Sequence, residues 1–515
     1  MPGLGLTGHA HRPTRRRLGI GLLGIAAALS AWSLWAPSPD PSAQPTGAPA
    51  ACGRWAPADA TPVSLPIEST ETWRRLIGVL VCFTHELTIT ETYDLGRFGE
   101  LLLADARLYG ENTGLEVDDP SLHVIRLGAR QRPSGSGPWP LPWGLDVGEV
   151  RVGDAVAQLS GRVWRSPAGG YLLEPLGQPA FEVRNPRPAA PAPLVGDLRV
   201  AAFNLENYFL TLGERGADHP AALERQTAKL VAALAGLDAD VIAVMEIERD
   251  PDDGPLQALS AALGAHLEAS ATAALDAGPQ AAARLRTYLA VPEASVSAGR
   301  PGDAVRQGFL IDPAVVEVVA LEADTASVHE RPPQALTLRH LASGERLTLI
   351  AVHLRSKARC PASGDVDLGF GCWNERRTAQ ARSLLAFGER LAQAHPGGLA
   401  LILGDLNAHR FEPPLAVFES ATPPWQVLTD LVPPEEAISY VFFGRSAALD
   451  HVLASPALAP RISGIDYWAI NADEPPLAGA GSGPRAPPGY GPDPYRSSDH
   501  DPLVVALQLA PLVDE

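Results

Sequence analysis

Cysteine is scarce in this chain, with four residues among 515: Cys52, Cys82, Cys360 and Cys372. None of them has the CxxC spacing typical of a structural zinc site, which argues against zinc bound by cysteine. An even number of cysteines in an exported protein suggests disulfides, and four cysteines allow three pairings. Because Cys360 and Cys372 are close in sequence and flank a loop rich in Gly and Asp, we expect them to pair, leaving Cys52 with Cys82.

Positive charge is also in short supply. The chain has 41 Lys and Arg against 59 Asp and Glu, which gives a formal net charge of −18. Residues 1–36 hold four arginines and no acid, so the remaining chain has a net charge of −22. Proteins that bind nucleic acid usually carry a basic face, so this balance argues against a broad polyanion-binding surface. Any site for a polyanion must therefore be local and assisted by metal ions.

The N-terminal segment has the pattern of an export signal. Arg12 and Arg15–Arg17 precede a run of apolar and small residues, Leu18–Trp35. The pattern is typical of a secretory signal, and it also loosely fits a twin-arginine signal. Because the run is long for a signal peptide, an uncleaved membrane anchor over residues 18–35 is the alternative. In both cases we expect the bulk of the chain to be exported.

Two segments rich in proline and alanine divide the rest of the chain. After the signal or anchor (1–36), we predict a linker (37–54), a β-rich region (55–184), a second linker (185–196) and an α/β region (197–512). Short strands separated by Gly and Pro in the β-rich region predict a small β-barrel, with the oligonucleotide-binding (OB) type as one candidate. The alternative is a β-domain that only spaces or packs against its neighbour.

The region 197–512 alternates apolar strands with amphipathic helices, which predicts a layered α/β domain. Predicted helices cover 221–237, 255–264 and 374–395. Predicted strands cover 198–203, 241–245, 309–311, 347–352, 399–403, 449–453 and 503–507.

Polar side chains recur where these strands begin or end. Each alone has a structural explanation as a helix cap, a turn former or an ion-pair partner. Their recurrence predicts a shared cleft, because a layered scaffold gathers its strand ends. Hard oxygen ligands suit Mg²⁺, Mn²⁺ or Ca²⁺, and two histidines suit proton transfer and phosphate contact, so the set indicates metal-assisted hydrolysis of a phosphate ester. The residues are Asn204, Glu246, His353, Asp405, Asn407, Asp450, Asp499 and His500.

The motifs around these residues resemble the endonuclease/exonuclease/phosphatase superfamily, the group of pancreatic deoxyribonuclease and the abasic-site endonucleases. Within the superfamily, the chain looks like bacterial extracellular endonucleases, through the Cys360…Cys372 loop and the string Asn471-Ala472-Asp473-Glu474-Pro475. The motifs are Phe203-Asn204-Leu205-Glu206-Asn207, Val244-Met245-Glu246, Val352-His353-Leu354-Arg355-Ser356-Lys357, Gly404-Asp405-Leu406-Asn407, Ser439-Tyr440-Val441-Phe442, Leu449-Asp450-His451 and Ser498-Asp499-His500-Asp501-Pro502.

The resemblance implies a deoxyribonuclease-like α/β sandwich behind the small β-barrel-like domain. It also implies a divalent metal, Mg²⁺ before Mn²⁺ or Ca²⁺, surrounded by Asn204, Glu246 and Asp499. Lys357 and Arg306 are further candidates for phosphate contacts.

The implied catalytic residues lie on the other strand ends. Asp405 and Asn407 would orient or activate the attacking water and hold the phosphate. Asp450 would fix and polarise His500. His353 would contact the scissile phosphate and could serve as general acid.

These implications predict a metal-dependent nuclease acting on DNA, with RNA as a possible second substrate, secreted or held in the cell envelope of a bacterium. We expect a monomer with no protein partner. The first alternative is a phosphoesterase of the same superfamily acting on a lipid, an inositol phosphate or a nucleotide. The second is a surface-anchored binding module with an inactive site. Endonucleolytic and exonucleolytic action are not distinguished by the sequence.

Overall fold

The computed structural model describes residues 52–131, 141–167, 169–277, 286–294, 302–395 and 397–509. The predicted signal or anchor and the first linker up to residue 51 lie outside the described residues. Within these ranges, no helix has both the length and the apolar character needed to cross a membrane. The described residues all belong to one compact unit.

Residues 61–182 contribute a nine-stranded mixed sheet, in the order β1-β2-β7-β8-β5-β4-β3-β6-β9. Its apolar core surrounds the buried Trp73 and Phe83. Two short helices, α1 (Thr70–Arg75) and α2 (Leu95–Phe98), lie between its strands. The strands are β1 (Thr61–Val63), β2 (Leu80–Phe83), β3 (Leu87–Glu91), β4 (Leu101–Ala104), β5 (Val124–Leu127), β6 (Ala155–Ala157), β7 (Ser160–Arg165), β8 (Tyr171–Pro175) and β9 (Ala180–Glu182).

The β-rich character of this region matches the sequence pattern. A run that reads as one strand over residues 155–164 is divided into β6 and β7, because Gln158 adopts a φ of 50° and breaks the extended backbone. Closure into an OB-type barrel stays a prediction, and so does the domain division at 185–196.

The α/β region contains two six-stranded sheets. The first has the order β12-β13-β11-β10-β23-β22, and the second has the order β14-β15-β16-β17-β21-β18. A two-stranded hairpin of β19 and β20 stands apart from both. The strands are β10 (Leu198–Tyr208), β11 (Val241–Glu248), β12 (Leu289–Val291), β13 (Val305–Ile311), β14 (Val316–Ala323), β15 (Gln334–His340), β16 (Arg346–His353), β17 (Ala400–Asp405), β18 (Gln426–Val427), β19 (Tyr440–Phe442), β20 (Arg445–Ala447), β21 (Asp450–Ala454), β22 (Ile462–Tyr467) and β23 (Leu503–Leu507).

The two sheets pack face to face through one apolar core, which includes Val200 and Val505 of the first sheet and Leu349 and Leu401 of the second. Two helices cover each outer face, so the region has four layers. This confirms the predicted layered α/β class. The helices are α3 (Pro220–Leu237) and α4 (Gly254–Ala277) on the first sheet, and α5 (Asn374–Ala394) and α6 (Pro413–Glu419) on the second.

Both expected cysteine pairs lie at disulfide distance. The Cα atoms are 6.2 Å apart for Cys52–Cys82 and 5.1 Å apart for Cys360–Cys372. The first pair ties the segment before β1 to β2, and the second closes the loop that precedes α5. The pairing that the sequence favoured among three therefore fits the structure.

A buried charge network joins the nine-stranded sheet to the α/β layers. Its centre is Asp473, in the string 471–475. The Asp473 carboxylate pairs with Arg107 and lies 3.7 Å from a guanidinium nitrogen of Arg151. The neighbouring Glu474 accepts two hydrogen bonds from Arg187. All three arginines come from the N-terminal side of residue 197, so the string 471–475 links the two regions.

We predict that Asp473→Ala lowers the free energy of unfolding by about 3–5 kcal/mol, because it removes the carboxylate partner of Arg107 and leaves Arg151 with Glu474 alone. Urea unfolding followed by circular dichroism measures the change. Glu317→Ala is the matched control, since Glu317 is exposed and pairs with Arg339 at the surface, where a loss of about 0–1 kcal/mol is expected. Equal losses in the two variants would contradict the assignment.

Candidate active site

Three neighbouring strands of the second sheet bring three predicted residues side by side. His353 is the last residue of β16, Asp405 is the last of β17, and Asp450 is the first of β21. In the strand register, His353 pairs with Asp405, and Asp405 pairs with Asp450. Laterally paired residues share a face of a sheet, so the three side chains form a row along one edge.

The first sheet supplies Asn204 and Glu246 from strands that are irregular at these positions. The pairing of β10 with β11 shifts register after Asn204, and that of β11 with β13 shifts between Val244 and Ile247. Glu246 has a φ of 58°, in the left-handed region that residues other than glycine rarely adopt. Bulges of this kind re-aim side chains, and such strain is concentrated at functional sites.

Two polar contacts join the edges of the two sheets. Nδ2 of Asn204 donates to Oδ2 of Asp405 over 3.3 Å. Nδ1 of His500, which lies just before β23, is 2.7 Å from Oδ2 of Asp450. Residues of both sheets therefore form one site rather than two.

The site opens into a cleft of about 820 Å³. Asn204 and Asp450 do not line the cleft. They are buried beside it and contact Asp405 and His500, which do line it. Seven of the ten predicted metal-binding, catalytic and phosphate-binding residues line the cleft: Glu246, His353, Lys357, Asp405, Asn407, Asp499 and His500.

His500 and Asp450 form a buried acid–histidine pair. The carboxylate of Asp450 also accepts a hydrogen bond from the hydroxyl of Ser439 over 2.7 Å. Burial opposes the charged imidazolium, but the carboxylate of Asp450, with Asp499 and Asp405 nearby, outweighs it and raises the pKa of His500 well above its ordinary value. The pair can therefore present a cationic donor to a phosphate.

His353 faces the same cleft, but its surroundings favour the neutral imidazole, whereas those of His500 favour the imidazolium. Burial, together with the nearby charges of Arg331 and His500, lowers the pKa of His353 well below its ordinary value. Its Nε2 lies 3.4 Å from Oδ2 of Asp405 and 3.8 Å from Oε1 of Glu246. A neutral imidazole at this point can donate or accept one hydrogen bond.

Asp405 is a buried carboxylate of the site. Its Oδ1 accepts the backbone N–H of Asn407 over 2.8 Å, and its Oδ2 accepts the side-chain amide of the same residue over 3.1 Å. Burial and the charge of Asp450 raise the pKa of Asp405 to about 7. A carboxylate held in this way can orient a water molecule and exchange a proton with it.

Glu246 and Asp499 are two neighbouring carboxylates that line the cleft. Burial and the neighbouring Asp499 raise the pKa of Glu246. In the described part of the chain, no group of three or more His, Cys, Asp or Glu side chains is arranged to hold a metal ion. The two carboxylates nevertheless suit a hard divalent cation such as Mg²⁺, which usually keeps several waters and binds one or two carboxylates together with substrate phosphate.

The two cations predicted to contact phosphate have different surroundings. Lys357 lines the cleft, where its Nζ is 2.5 Å from Oε1 of Glu412. Arg306 does not reach the cleft, because its buried guanidinium bonds to Asp253 and to the carbonyl oxygen of Gln307.

The cleft contains cationic and aromatic residues that the sequence did not single out. Arg331 lines it and donates to the carbonyl oxygen of His353 over 3.1 Å, so it also holds the end of β16. The ring of Tyr440 lies 4.7 Å from that of His500. Tyr440 and Ser439 stood in a recognised motif without an assigned role, whereas Arg331 lies in an irregular segment that carries no sequence signal.

A four-layered α/β sandwich with carboxylates and two histidines at converging strand ends is the architecture of a phosphate-ester hydrolase. The chain belongs to the endonuclease/exonuclease/phosphatase family, whose sequence model matches residues 201–500. Members of this family hydrolyse phosphodiesters or phosphate monoesters and typically use divalent metals. A comparison with curated protein sequences finds no match.

The solved structures that match this chain have low sequence identity to it and low TM-scores. The catalytic domain of human Nocturnin with bound sulfate is 14% identical and covers 61% of this chain and 95% of its own, at a TM-score of 0.37. Truncated TDP2 from Caenorhabditis elegans is 13% identical and covers 60% and 96%, at a TM-score of 0.36. A mannosyl-6-phosphatase from Bacteroides thetaiotaomicron is 12% identical and covers 60% and 99%, at a TM-score of 0.37. The family assignment rests on the match to the family model.

We predict that Asp450→Asn lowers turnover of a small phosphodiester, such as bis(p-nitrophenyl) phosphate, by about 10²–10⁴-fold. The change keeps the shape of the side chain but removes the charge that orients and polarises His500. Asp238→Asn is the matched control, because Asp238 is an exposed carboxylate paired with Arg199 at the surface. Turnover of Asp450→Asn within threefold of that control, at equal thermal stability, would rule out the role given to the acid–histidine pair.

Proposed function

We propose that the chain is an exported, metal-dependent nuclease that hydrolyses phosphodiester bonds in DNA. The supporting observation is that His353, His500 and the carboxylates Glu246 and Asp499 line one cleft. Carboxylates suited to a metal ion and histidines suited to a phosphate therefore line the same cleft. Hydrolysis of a phosphodiester requires both kinds of group close together.

In this proposal, Asn204, Glu246 and Asp499 hold the divalent metal, with Mg²⁺ the best fit to their oxygen atoms. When bound, the ion would lower the pKa of a coordinated water and offset charge that develops on the phosphoryl oxygens. Burial and the neighbouring Asp499 raise the pKa of Glu246, and a bound cation would offset both effects.

The remaining residues act on the phosphate and on the attacking water. Asp405 and Asn407 orient the water, and the carboxylate of Asp405 is placed to take its proton. His500, held by Asp450, donates a hydrogen bond to a phosphoryl oxygen. His353 contacts the scissile phosphate as a neutral imidazole, which makes it a hydrogen-bonding group rather than a general acid.

A polynucleotide is the preferred substrate because the cleft gathers cations in an acidic protein. Its lining holds six Arg and Lys side chains against seven Asp and Glu side chains, whereas the net charge of the whole chain is −18. These cations can contact a backbone of repeated phosphates once a metal ion offsets the carboxylates. The motifs that resemble those of bacterial extracellular endonucleases support this substrate, and the two cysteine pairs support export.

We predict that the purified protein nicks supercoiled plasmid in the presence of Mg²⁺ and that EDTA abolishes the nicking. Gel electrophoresis of the plasmid measures both effects, and added Mg²⁺ restores activity to the EDTA-treated protein. Asp499→Asn, which keeps the side-chain shape but removes one proposed ligand charge, should raise the Mg²⁺ concentration needed for half-maximal activity by at least about tenfold.

Parallel assays on a phosphatidyl lipid, an inositol phosphate and a nucleotide test the alternative substrates. Hydrolysis of one of these with an intact plasmid would overturn the nuclease proposal in favour of that phosphoesterase. Absence of every activity with Mg²⁺, Mn²⁺ and Ca²⁺ would favour an inactive binding module.

A further inference from the structure

A row of aromatic rings extends from the acid–histidine pair to the outer surface. The ring of Tyr440 lies 4.7 Å from that of His500, and the ring of Phe442 is stacked 6.4 Å beyond Tyr440 at an interplanar angle of 25°. The ring of Phe443 lies a further 4.3 Å from that of Phe442. We name Tyr440, Phe442 and Phe443 the aromatic row.

The outer two rings are unusually exposed. Phe442 is 58% exposed and Phe443 is 66% exposed, and both stand on the β19–β20 hairpin. Tyr440 and Phe442 are two residues apart on one strand, so they project from the same face, and both line the cleft. The row is therefore continuous with the site of hydrolysis rather than an isolated surface patch.

The backbone at the tip of the hairpin favours other residues over phenylalanine. Phe442 pairs with Arg445, which leaves Phe443 and Gly444 as a two-residue turn with φ values of 49° and 71°. This geometry requires left-handed backbone at both positions, where Asn, Asp and Gly are strongly preferred. A bulky aromatic residue in such a position is strained, and its exposed ring gains little from packing, so folding alone does not account for Phe443.

The nine-stranded sheet holds the hairpin in place. A side chain at Gly444 would come within 2.7 Å of Leu102, so the turn lies directly against that sheet. The backbone N–H of Ser446 donates to the carbonyl oxygen of Leu108, and the N–H of Gly110 donates to the carbonyl oxygen of Ser446. Arg107 adds a hydrogen bond to the hydroxyl of Ser446 over 2.9 Å. The rings are thus presented on a braced element.

We propose that the aromatic row is a base-stacking subsite that binds one or two unpaired nucleobases next to the scissile phosphate. This inference rests on the proposed function and narrows its substrate to polynucleotides whose bases are unstacked. Every base offers a π-face, so stacking on exposed rings binds single strands with little sequence preference. Arg445 on the hairpin and Arg355 and Arg359 across the cleft supply the cationic track for the phosphates.

The direct test measures binding to fluorescent oligothymidylate of about 15 nucleotides, and to an oligomer of the same length whose sugars carry no bases, by anisotropy in EDTA. We expect the wild-type protein to prefer the base-containing strand. Phe442→Leu combined with Phe443→Asn should weaken its binding by about 5- to 150-fold and leave the abasic strand unaffected. The substitutions keep an apolar strand residue and a residue that favours the turn.

Phe411→Leu is the matched control, because Phe411 is 60% exposed but lines a separate hollow with Phe370. Thermal unfolding should show the double variant at least as stable as the wild type, since Asn suits the turn better than Phe. Equal binding of both oligomers by the wild type, or equal loss in the Phe411→Leu control, would overturn the subsite. A dimer in sedimentation that the double substitution abolishes would assign the row to a second copy instead.

The plasmid assay separates failure of this inference from failure of the proposed function. If the wild type nicks the plasmid and the double variant binds the oligomers as the wild type does, the nuclease proposal stands and the subsite proposal is wrong. If the plasmid stays intact but the wild type prefers the base-containing strand and the double substitution abolishes that preference, the nuclease proposal is wrong and the subsite proposal stands.

Discussion

The hydrogen bond between His500 and Asp450 joins two sheets whose shared core is apolar. His500 precedes β23 of the first sheet, and Asp450 begins β21 of the second. The bond forms only if the sheets pack with these strand ends aligned, and the contact of Asn204 with Asp405 imposes the same condition. The apolar core between the sheets therefore determines the site geometry, because a shift between the sheets would break both contacts.

The buried carboxylates at this junction destabilise the folded state, and packing in the surrounding layers must offset that loss. Asp405 and Glu246 are carboxylates whose ionised forms burial disfavours, and Glu246 also adopts a strained backbone conformation. Such arrangements persist only where the surrounding structure leaves no alternative. Here the helices on both outer faces and the core between the sheets fix the strands whose ends carry the strain.

The sequence was most informative where periodicity decides structure. Apolar runs such as 503–507 predicted strands that the structure contains, and the polar residues at their ends follow directly from that alternation. Nothing in the sequence indicates that Arg306 lies outside the cleft lining, because the bulge in the adjacent β11 cannot be read from one chain. Arg331 and the left-handed Phe443 depend on irregular backbone, for which a single sequence carries no periodic signal.

The nine-stranded sheet gains a role from its contacts with the catalytic layers. It supports the β19–β20 hairpin through Leu102, and the segment after β4 supports the hairpin through Leu108. Residues on the N-terminal side of position 197 also supply the arginines that pair with Asp473 and Glu474. Asn471, in the same string, donates through its side chain to the carbonyl oxygen of His500. One set of contacts thus supports both the acid–histidine pair and the aromatic row. The nine-stranded sheet can therefore both pack against the α/β layers and contribute to substrate binding, because the β19–β20 hairpin that it contacts forms part of the cleft lining.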